Sequence, residues 1–240
     1  MKQKETLFSP HLPPLAERVR PQSLDEFIGQ DRLTGKQKII SMLCESKLLF
    51  SLIFWGPPGT GKTTLARLIS RHTDAELYEL SAVSSGVKDL RQIIKKAEAN
   101  KSISRQTVLF IDEIHRFSKS QQDALLHAVE DGTIVMFGAT TENPSFEVIN
   151  PLLSRCKVLV LKPLSDDNLE SILSHAFEND ILLTNGELTF PVKNKNTLIQ
   201  ASGGDARKML NTVDISYKLM KGKGKITRSI LTEALQTQAQ

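Results

Sequence analysis

One eight-residue stretch constrains the fold more than any other part of the chain. The sequence GPPGTGKT, at positions 56–63, follows the apolar run 52–55 and precedes a segment with helical spacing. A buried strand that runs into a glycine-rich turn and then a helix directs backbone N–H groups and the helix N-terminus at one point. Such a point binds phosphate. The pattern therefore predicts a phosphate-binding loop in a strand–loop–helix unit, and the alternative is a glycine turn that binds nothing.

The side chains of this loop suit a nucleoside triphosphate. Gly59 and Gly61 let the chain curl tightly without a Cβ in the way. Lys62 is expected to reach the outer phosphates of ATP, and the Thr63 hydroxyl is expected to ligate Mg²⁺. The residues predicted to bind the nucleotide here are Gly56, Pro57, Pro58, Gly59, Thr60, Gly61, Lys62, Thr63 and Thr64.

Two adjacent carboxylates form a second chemical centre. The apolar run 107–111 leads directly into Asp112 and Glu113. Strand alternation points these two side chains in different directions. We expect Asp112 to hold Mg²⁺ through water and Glu113 to polarise the water that attacks the γ-phosphate. Without the loop upstream, the same pair would be interpreted as two surface acids at the end of a strand.

A further strand is predicted at 133–139, and it ends in the polar cluster 140–143. Ligands of parallel α/β sheets lie at the C-terminal ends of the strands, so Thr140 is expected to lie near the γ-phosphate. His115 is predicted to be a structural or coupling residue rather than a metal ligand, because no second ligand lies at a usable spacing.

A basic stripe is predicted on the helix that begins after Ser85 and Gly86. Lys88, Arg91 and Lys95 fall on a different stripe from the apolar positions of that helix. Such a stripe could follow a nucleic-acid backbone through phosphate contacts without reading sequence. A simple solvated face is an equally good interpretation.

The order of the predicted elements indicates an α/β fold. Strands that alternate with helices over roughly 150 residues predict a doubly wound parallel sheet with crossover connections. From Ser165 onward, amphipathic helices predict a small all-α domain, with a flexible break at 222–225. We therefore expect a flexible arm at 1–14, an α/β nucleotide-binding domain at 15–163 and a helical lid domain at 164–240.

Composition excludes few classes of function. Lys and Arg number 31 against 27 Asp and Glu, and the net charge of +4 permits a polyanionic partner without proving one. The two cysteines lie far apart and support neither a zinc site nor a disulfide framework. No apolar run approaches the ~18 residues that a membrane span needs, and the N-terminus lacks a signal pattern. These features predict a cytoplasmic protein without a membrane partner.

Several motifs together resemble the AAA+ ATPases of the clamp-loader and branch-migration branch. They are the loop 56–63, the strand end 111–113, the Thr-rich strand end, the segment 154–156 and the segment 204–207. The stretch 110–146, FIDEIHRFSKSQQDALLHAVEDGTIVMFGATTENPSF, resembles the replication-associated recombination protein A family, which includes the Werner-helicase-interacting ATPase. The resemblance covers about residues 15 to 240.

That resemblance implies roles for residues whose pattern alone is uninformative. It implies that Val19, Arg20 and Ile28 lie near the adenine, that Thr140 is sensor 1 and that Arg207 is sensor 2. It also implies that Arg155 is an arginine finger that reaches the γ-phosphate of a neighbouring subunit. A guanidinium inserted in trans neutralises the charge that develops on the transferred phosphoryl group. The alternative is that Arg155 simply pairs with a carboxylate.

The function implied by the resemblance is that of a DNA-dependent, Mg²⁺-requiring ATPase. It would act on DNA ends or gaps during replication-fork maintenance and recombination or repair, in association with the nucleoid. Single-strand-binding protein and the replication machinery are candidate partners. Members of the family continue into a C-terminal region that forms tetramers, whereas the present sequence ends at Gln240. A homo-oligomer is expected for the full-length form, and the oligomeric state of the 240-residue chain is left open.

Two other functions are compatible with the same residues. One is a nucleotide-gated assembly subunit, in which bound ATP organises replication or repair partners and turnover resets the assembly. The other is a clamp-loader-like subunit or a Holliday-junction motor. The mutation Glu113→Gln would separate the first of these from an ATPase whose turnover does the work.

Overall fold

A computed structural model describes residues 12–237, which fall into two compact units. One unit is Gln22–Lys162, and the other combines the chain up to Pro21 with the chain from Pro163 onward. The α-helices, in chain order, are α1 (Leu15–Arg18), α2 (Asp31–Thr34), α3 (Ile39–Ser46), α4 (Lys62–His72), α5 (Val87–Ser102), α6 (Lys119–Glu130), α7 (Pro144–Glu147), α8 (Asn150–Leu153), α9 (Asp166–Asn179), α10 (Ile181–Asn185), α11 (Val192–Ser202), α12 (Ala206–Leu219) and α13 (Arg228–Thr237). The strands are β1 (Leu52–Trp55), β2 (Glu76–Ser81), β3 (Thr107–Asp112), β4 (Val135–Thr140), β5 (Lys157–Val160), β6 (Glu187–Thr189) and β7 (Lys223–Lys225).

The Gln22–Lys162 unit is built on a parallel sheet with the strand order β2-β3-β4-β1-β5. In register, Trp55 of β1 lies opposite Thr140 of β4 on one side and Val160 of β5 on the other. All five strands run the same way, so their C-terminal ends share one edge of the sheet. The expected doubly wound α/β fold is confirmed.

The two faces of the sheet are covered by different helices because successive strand side chains alternate. Leu52 and Phe54 of β1 pack with the apolar sides of α3 and α4, whereas Ile53 packs with residues of α5 and α6. The ring of Phe54 meets that of Phe137 edge to face, with centroids 5.8 Å apart. β3 is buried along nearly its whole length, which explains why its sequence is a continuous apolar run.

The second unit is mainly helical, with a core drawn from α1, α9, α11, α12 and α13. Two predictions about it are wrong in detail. The sequence pattern places the segment 15–21 in the α/β domain, but the segment packs here, because Leu15 is fully buried in this core and Arg18 is ion-paired to Asp180, 2.6 Å away. The expected flexible break at 222–225 contains β7, which pairs in parallel with β6, so the unit is not purely α-helical.

The expected N-terminal arm at 1–14 lies almost wholly outside the described residues. Among the helices in the described part of the chain, none has the length and apolarity needed to cross a membrane.

Candidate nucleotide site

The phosphate-binding loop connects β1 to α4. Gly59 and Gly61 have φ values of 66° and 100°, a backbone region that favours glycine, and Gly61 is the N-cap of α4. A Cβ at Gly61 would lie 2.6 Å from the Phe27 ring, so only glycine fits beneath that ring. Inside the loop, the Thr60 hydroxyl donates to the Pro57 carbonyl oxygen over 2.9 Å. The loop therefore has the tight, amide-lined shape that its sequence predicts.

Lys62 is buried at the first turn of α4. Its Nζ donates to the carbonyl oxygens of Gly56 and Pro57, each 2.8 Å away. The ammonium group thus lies within the loop, where carbonyl oxygens accept its hydrogen bonds. Thr63 and Thr64 follow on the same turn of the helix.

The loop is joined directly to the neighbouring strands. The Gly56 N–H donates to the Thr140 carbonyl oxygen over 3.1 Å, extending the β1–β4 pairing by one residue. A Cβ at Gly56 would lie 2.4 Å from the Leu161 carbonyl oxygen, beyond the end of β5. The start of the loop therefore fits between the ends of β4 and β5 and has room for glycine alone.

The predicted acidic pair lies at the C-terminal end of β3. Asp112 is the last residue of the strand and is half-buried. Glu113 follows with φ = 56°, a left-handed backbone that is uncommon for a residue with a side chain. Within residues 12–237, Glu113 Oε2 is shielded from solvent and accepts no hydrogen bond. A single 3-10 turn, Ile114–Arg116, comes next.

A cluster of polar side chains connects Glu113 to Thr140. His115 has a side chain only 6% exposed, and its Nδ1 lies 3.1 Å from Thr140 Oγ1 and 3.2 Å from Glu113 Oε2. On the other side of the ring, Nε2 lies 3.3 Å from Glu142 Oε1. The Thr140 hydroxyl also accepts a hydrogen bond from the Glu142 N–H over 3.0 Å. Contacts therefore run without a gap from Gly56 through Thr140 and His115 to Glu113.

Arg155 lies outside this cluster and is bound within its own chain. Its guanidinium is 2.5 Å from Glu130 Oε1 and donates to the Pro151 carbonyl oxygen over 2.7 Å, with 41% of the side chain exposed. The carboxylate pairing considered from the sequence is thus present in the single chain.

A buried amide connects two segments that flank the site. Gln122, 1% exposed, donates from Nε2 to the carbonyl oxygens of Phe117 and Glu147, at 3.1 and 3.0 Å. Its Oε1 accepts the Ile149 N–H over 2.9 Å. Gln122 therefore links the chain just beyond His115 to the chain that leads to Arg155.

The predicted basic stripe is exposed on α5. The side chains of Lys88, Arg91 and Lys95 are all solvent-accessible and make no ion pair or hydrogen bond within residues 12–237. Nearby cations are engaged elsewhere: Lys96 lies over the Tyr78 ring, and Arg105 pairs with Glu76.

Three residues expected near the nucleotide lie in the helical unit. Val19 is part of that unit's core, and Arg20 is ion-paired with Glu17. Arg207 is exposed in the first turn of α12, where the Asp205 carboxylate accepts the Lys208 N–H as the N-cap. Ile28, the third expected adenine neighbour, lies in the α/β unit directly after Phe27.

Sequence reasoning missed Phe27 and Glu130. Phe27 precedes an expected adenine neighbour, but nothing in its pattern indicates a contact with Gly61, 34 positions along the chain. Glu130 ends an ordinary amphipathic helix, and its pairing with Arg155 depends on the folded path of the chain.

Both the fold and the site are typical of one class of protein. A parallel sheet with a phosphate-binding loop after β1 and an acidic pair after the buried β3 defines a phosphate-loop nucleoside triphosphatase. The family model described as "ATPase family associated with various cellular activities (AAA)" matches residues 52–164. Residues 52–164 of the chain are therefore similar to the AAA ATPases, and the resemblance to the replication-associated recombination protein A family is confirmed by the relatives below.

Replication-associated recombination protein A of Escherichia coli (strain K12) is 44% identical over 225 residues, covering 92% of this chain and 50% of that protein. ATPase WRNIP1 of Dictyostelium discoideum is 44% identical over 208 residues, covering 87% and 24% respectively. Among solved structures, the Thermotoga maritima RuvB Holliday junction branch migration motor aligns with a TM-score of 0.68 and 29% identity, covering 91% and 72%. The chain spans at most about half the length of these two curated relatives.

Proposed function

We propose that this chain is the ATP-hydrolysing part of a DNA-dependent AAA+ ATPase that acts in replication-fork maintenance and in recombination or repair. The proposal rests most directly on the run of contacts from the phosphate-binding loop through Thr140 to Glu113, which gathers the required groups at one sheet edge. DNA ends or gaps are the proposed substrates, and the nucleoid is the proposed location.

Each proposed role follows from the chemistry of its side chain. Glu113 accepts a proton from water as that water attacks the γ-phosphorus, so a new P–O bond forms while the bond to the β-phosphate oxygen breaks. Lys62 exchanges its two carbonyl partners for phosphate oxygens, because a charge-assisted hydrogen bond to phosphate is the stronger interaction. Thr140 binds the γ-phosphate, and Arg207 senses the nucleotide from the helical unit. Val19, Arg20 and Ile28 are proposed to surround the adenine.

The donors proposed for Mg²⁺ are Thr63 and Asp112. A hydroxyl and a carboxylate are hard oxygen donors of the type that Mg²⁺ prefers, and Mg²⁺ commonly takes its remaining ligands from water and substrate phosphates. The described residues contain no cluster of three or more His, Cys, Asp or Glu that could hold a metal by itself, which fits such a shared site. When bound, Mg²⁺ neutralises charge on the β- and γ-phosphates.

Arg155 is proposed to act in trans, in a homo-oligomer. It is partly exposed, and its contact with Glu130 is a surface ion pair, a kind that typically contributes only about 0–1 kcal/mol. A neighbouring subunit's nucleotide can therefore compete for the guanidinium at little cost. Hydrolysis would then depend on assembly.

The basic stripe on α5 is the proposed DNA surface. Three exposed cations without protein partners can release counterions by binding phosphates, and such binding weakens with salt and carries no sequence information. The same three side chains would therefore bind DNA ends, gaps and forks alike.

The decisive experiment measures ATP turnover by the purified chain without DNA and with forked, gapped and blunt DNAs. We expect turnover to rise most with DNA that carries single-stranded ends, and Lys62→Ala and Glu113→Gln to lower it at least ~10²-fold. Equal rates with and without DNA would contradict DNA dependence. A wild-type chain that binds no magnesium-ATP would contradict the proposal as a whole.

A matched pair of triple variants tests the DNA surface. Changing Lys88, Arg91 and Lys95 to Gln should remove DNA stimulation and flatten the salt dependence of DNA binding while leaving basal turnover intact. The control changes Lys193, Lys221 and Lys225, three exposed lysines of the helical unit, to Gln. Equal loss in both variants would mean that net charge, rather than α5, carries the interaction.

Two alternatives have specific support. A nucleotide-gated assembly subunit, which recruits single-strand-binding protein or the replication machinery, agrees with the in-chain pairing of Arg155 and the unbonded Glu113 Oε2. It would be favoured if Glu113→Gln kept full cellular activity. A clamp-loader-like subunit or Holliday-junction motor agrees with the likeness to RuvB, and would be favoured by migration of branched junctions in vitro.

A further inference from the structure

His115 occupies a fixed position between three functional groups. The preceding residue, Ile114, is fully buried, and its Cδ1 lies 3.2 Å from the point where a Cβ on Gly138 of β4 would be. This close packing holds the 3-10 turn against β4. As a result, the imidazole, 6% exposed, is aimed at the end of that strand.

The contacts of the ring differ on its two sides. Nε2 faces Glu142 Oε1 at 3.3 Å. Nδ1 faces inward and has two neighbours at nearly equal distance, Thr140 Oγ1 at 3.1 Å and Glu113 Oε2 at 3.2 Å. Only the Thr140 contact has hydrogen-bond geometry, and Glu113 Oε2 accepts no hydrogen bond.

A single ring nitrogen therefore serves two alternative partners. In the tautomer that carries its proton on Nδ1, this nitrogen has a single N–H, so a bond from Nδ1 to Thr140 leaves Glu113 Oε2 without a donor. A carboxylate oxygen that is shielded from solvent and has no hydrogen-bond donor costs free energy. Because the two acceptors are almost equidistant, a small rotation of the ring exchanges one bond for the other.

We propose that His115 is a positioning residue that couples the state of Thr140 to the orientation of Glu113. When the Thr140 hydroxyl is engaged by the γ-phosphate, His115 Nδ1 turns to Glu113 Oε2 and fixes the other carboxylate oxygen toward the attacking water. Without that engagement, Nδ1 stays on Thr140, and Glu113 lacks its partner. This inference rests on the proposed role of Glu113 as the base.

The test compares His115→Ala and His115→Gln with a control histidine, His175→Ala, which lies on α9 of the helical unit. We expect His115→Ala to lower kcat about 10- to 100-fold, part of the 10²–10⁴ that general-base catalysis supplies, with little change in the Kd for a fluorescent ATP analogue. His115→Gln retains an N–H donor and should recover part of the loss. His175→Ala should leave kcat unchanged.

A double variant separates positioning from a merely structural role. If His115 acts through Glu113, adding His115→Ala to Glu113→Gln should lower kcat no further, because the group it orients is already gone. Additive losses, or a fall in ATP-analogue affinity equal to the fall in kcat, would overturn the inference. A normal kcat for His115→Ala, together with an inactive Glu113→Gln, would overturn the proposed role of His115 and leave the proposed function unaffected. An inactive wild-type chain would overturn the proposed function itself.

Discussion

At the residue scale, the phosphate-binding loop depends on glycines for two separable reasons, backbone conformation and space. Gly61 combines a left-handed backbone with a close approach by Phe27. Gly132, after α6, also has a positive φ, 68°, but a Cβ there would meet nothing within 4 Å. The two glycines therefore form a natural pair for measuring each cost.

We predict that Gly132→Ala lowers the free energy of unfolding by about 1–2 kcal/mol, the cost of a left-handed backbone alone. Gly61→Ala should cost roughly 1–3 kcal/mol more, because the new methyl group forces the Phe27 ring aside. Urea unfolding of both variants measures the difference. When Phe27 is already alanine, adding Gly61→Ala should lower the free energy of unfolding by less than it does in the wild type. An equal loss in both backgrounds would show that the Phe27 ring is not the obstacle.

The two cysteines give a pH-dependent prediction. Burial raises the pKa of the Cys156 thiol to about 12. Burial, with a smaller contribution from the charge of Glu45, raises that of Cys44 to about 11. Since the thiolate is the nucleophile, native alkylation by iodoacetamide should be slow at pH 8, and much slower than in urea-unfolded chain.

The same pKa shifts determine how the free energy of unfolding changes with pH. A folded pKa above the unfolded value means that the unfolded chain loses its protons first as pH rises. The contribution of these thiols is therefore fully present below the usual thiol pKa of 9.0 and declines as pH climbs toward 11 and 12. Equal alkylation rates for native and unfolded chain would contradict both statements.

At the element scale, short helix α1 is held by charge as well as by packing. Burial lowers the pKa of Arg18, but its hydrogen bonds and ion pairs with Asp180 and Asp214 outweigh this, and the net pKa is raised. The Asp180 side chain is 1% exposed and also accepts the Leu182 and Leu183 N–H groups at the start of α10. Arg18 therefore neutralises a carboxylate that has little access to water.

We predict that Arg18→Ala destabilises the chain by about 3–5 kcal/mol, because it leaves a buried charge without its partner. The control is Lys47→Ala, whose ion pair with Asp74 is mostly exposed and should contribute little to stability. Urea unfolding monitored by circular dichroism measures both. Similar losses in the two variants would mean that the Arg18 cluster is screened by solvent.

The elements that sequence reasoning predicted share one property. β1, β3 and β4 are apolar runs between turn signals, and their local pattern determines both strand type and burial. β7 was not predicted, since Gly222 and Gly224 indicate flexibility and the pairing partner lies near residue 187. The placement of α1 was missed because the Arg18–Asp180 pair joins residues 162 positions apart.

At the scale of the whole molecule, the proposed role of Arg155 would require a second copy of the chain to complete the site. The groups predicted from sequence motifs, from Gly56 to Thr140, lie along one sheet edge, as parallel topology requires. Arg155 instead reaches Glu130, a residue with no motif of its own. Local patterns thus predicted the groups along the sheet edge, whereas the identity of the carboxylate that pairs with Arg155 depends on the folded path of the chain.

Mixing two inactive variants tests this proposal. Arg155→Ala retains Glu113, and Glu113→Gln retains Arg155, so mixed oligomers contain some interfaces with both groups intact. We predict that each variant alone hydrolyses ATP at least 10²-fold more slowly than wild type, and that the mixture recovers a measurable fraction. A mixture as inactive as its components would show that Arg155 does not act across an interface.

The buried amide of Gln122 restricts what the chain tolerates there. Its nitrogen gives hydrogens to two carbonyl oxygens while its oxygen takes one from a peptide N–H. Glutamate has almost the same size and shape, yet an ionised acid at this place would set negative charge against both carbonyls. A substitution that looks conservative on paper would push apart the two stretches of backbone that the amide draws together.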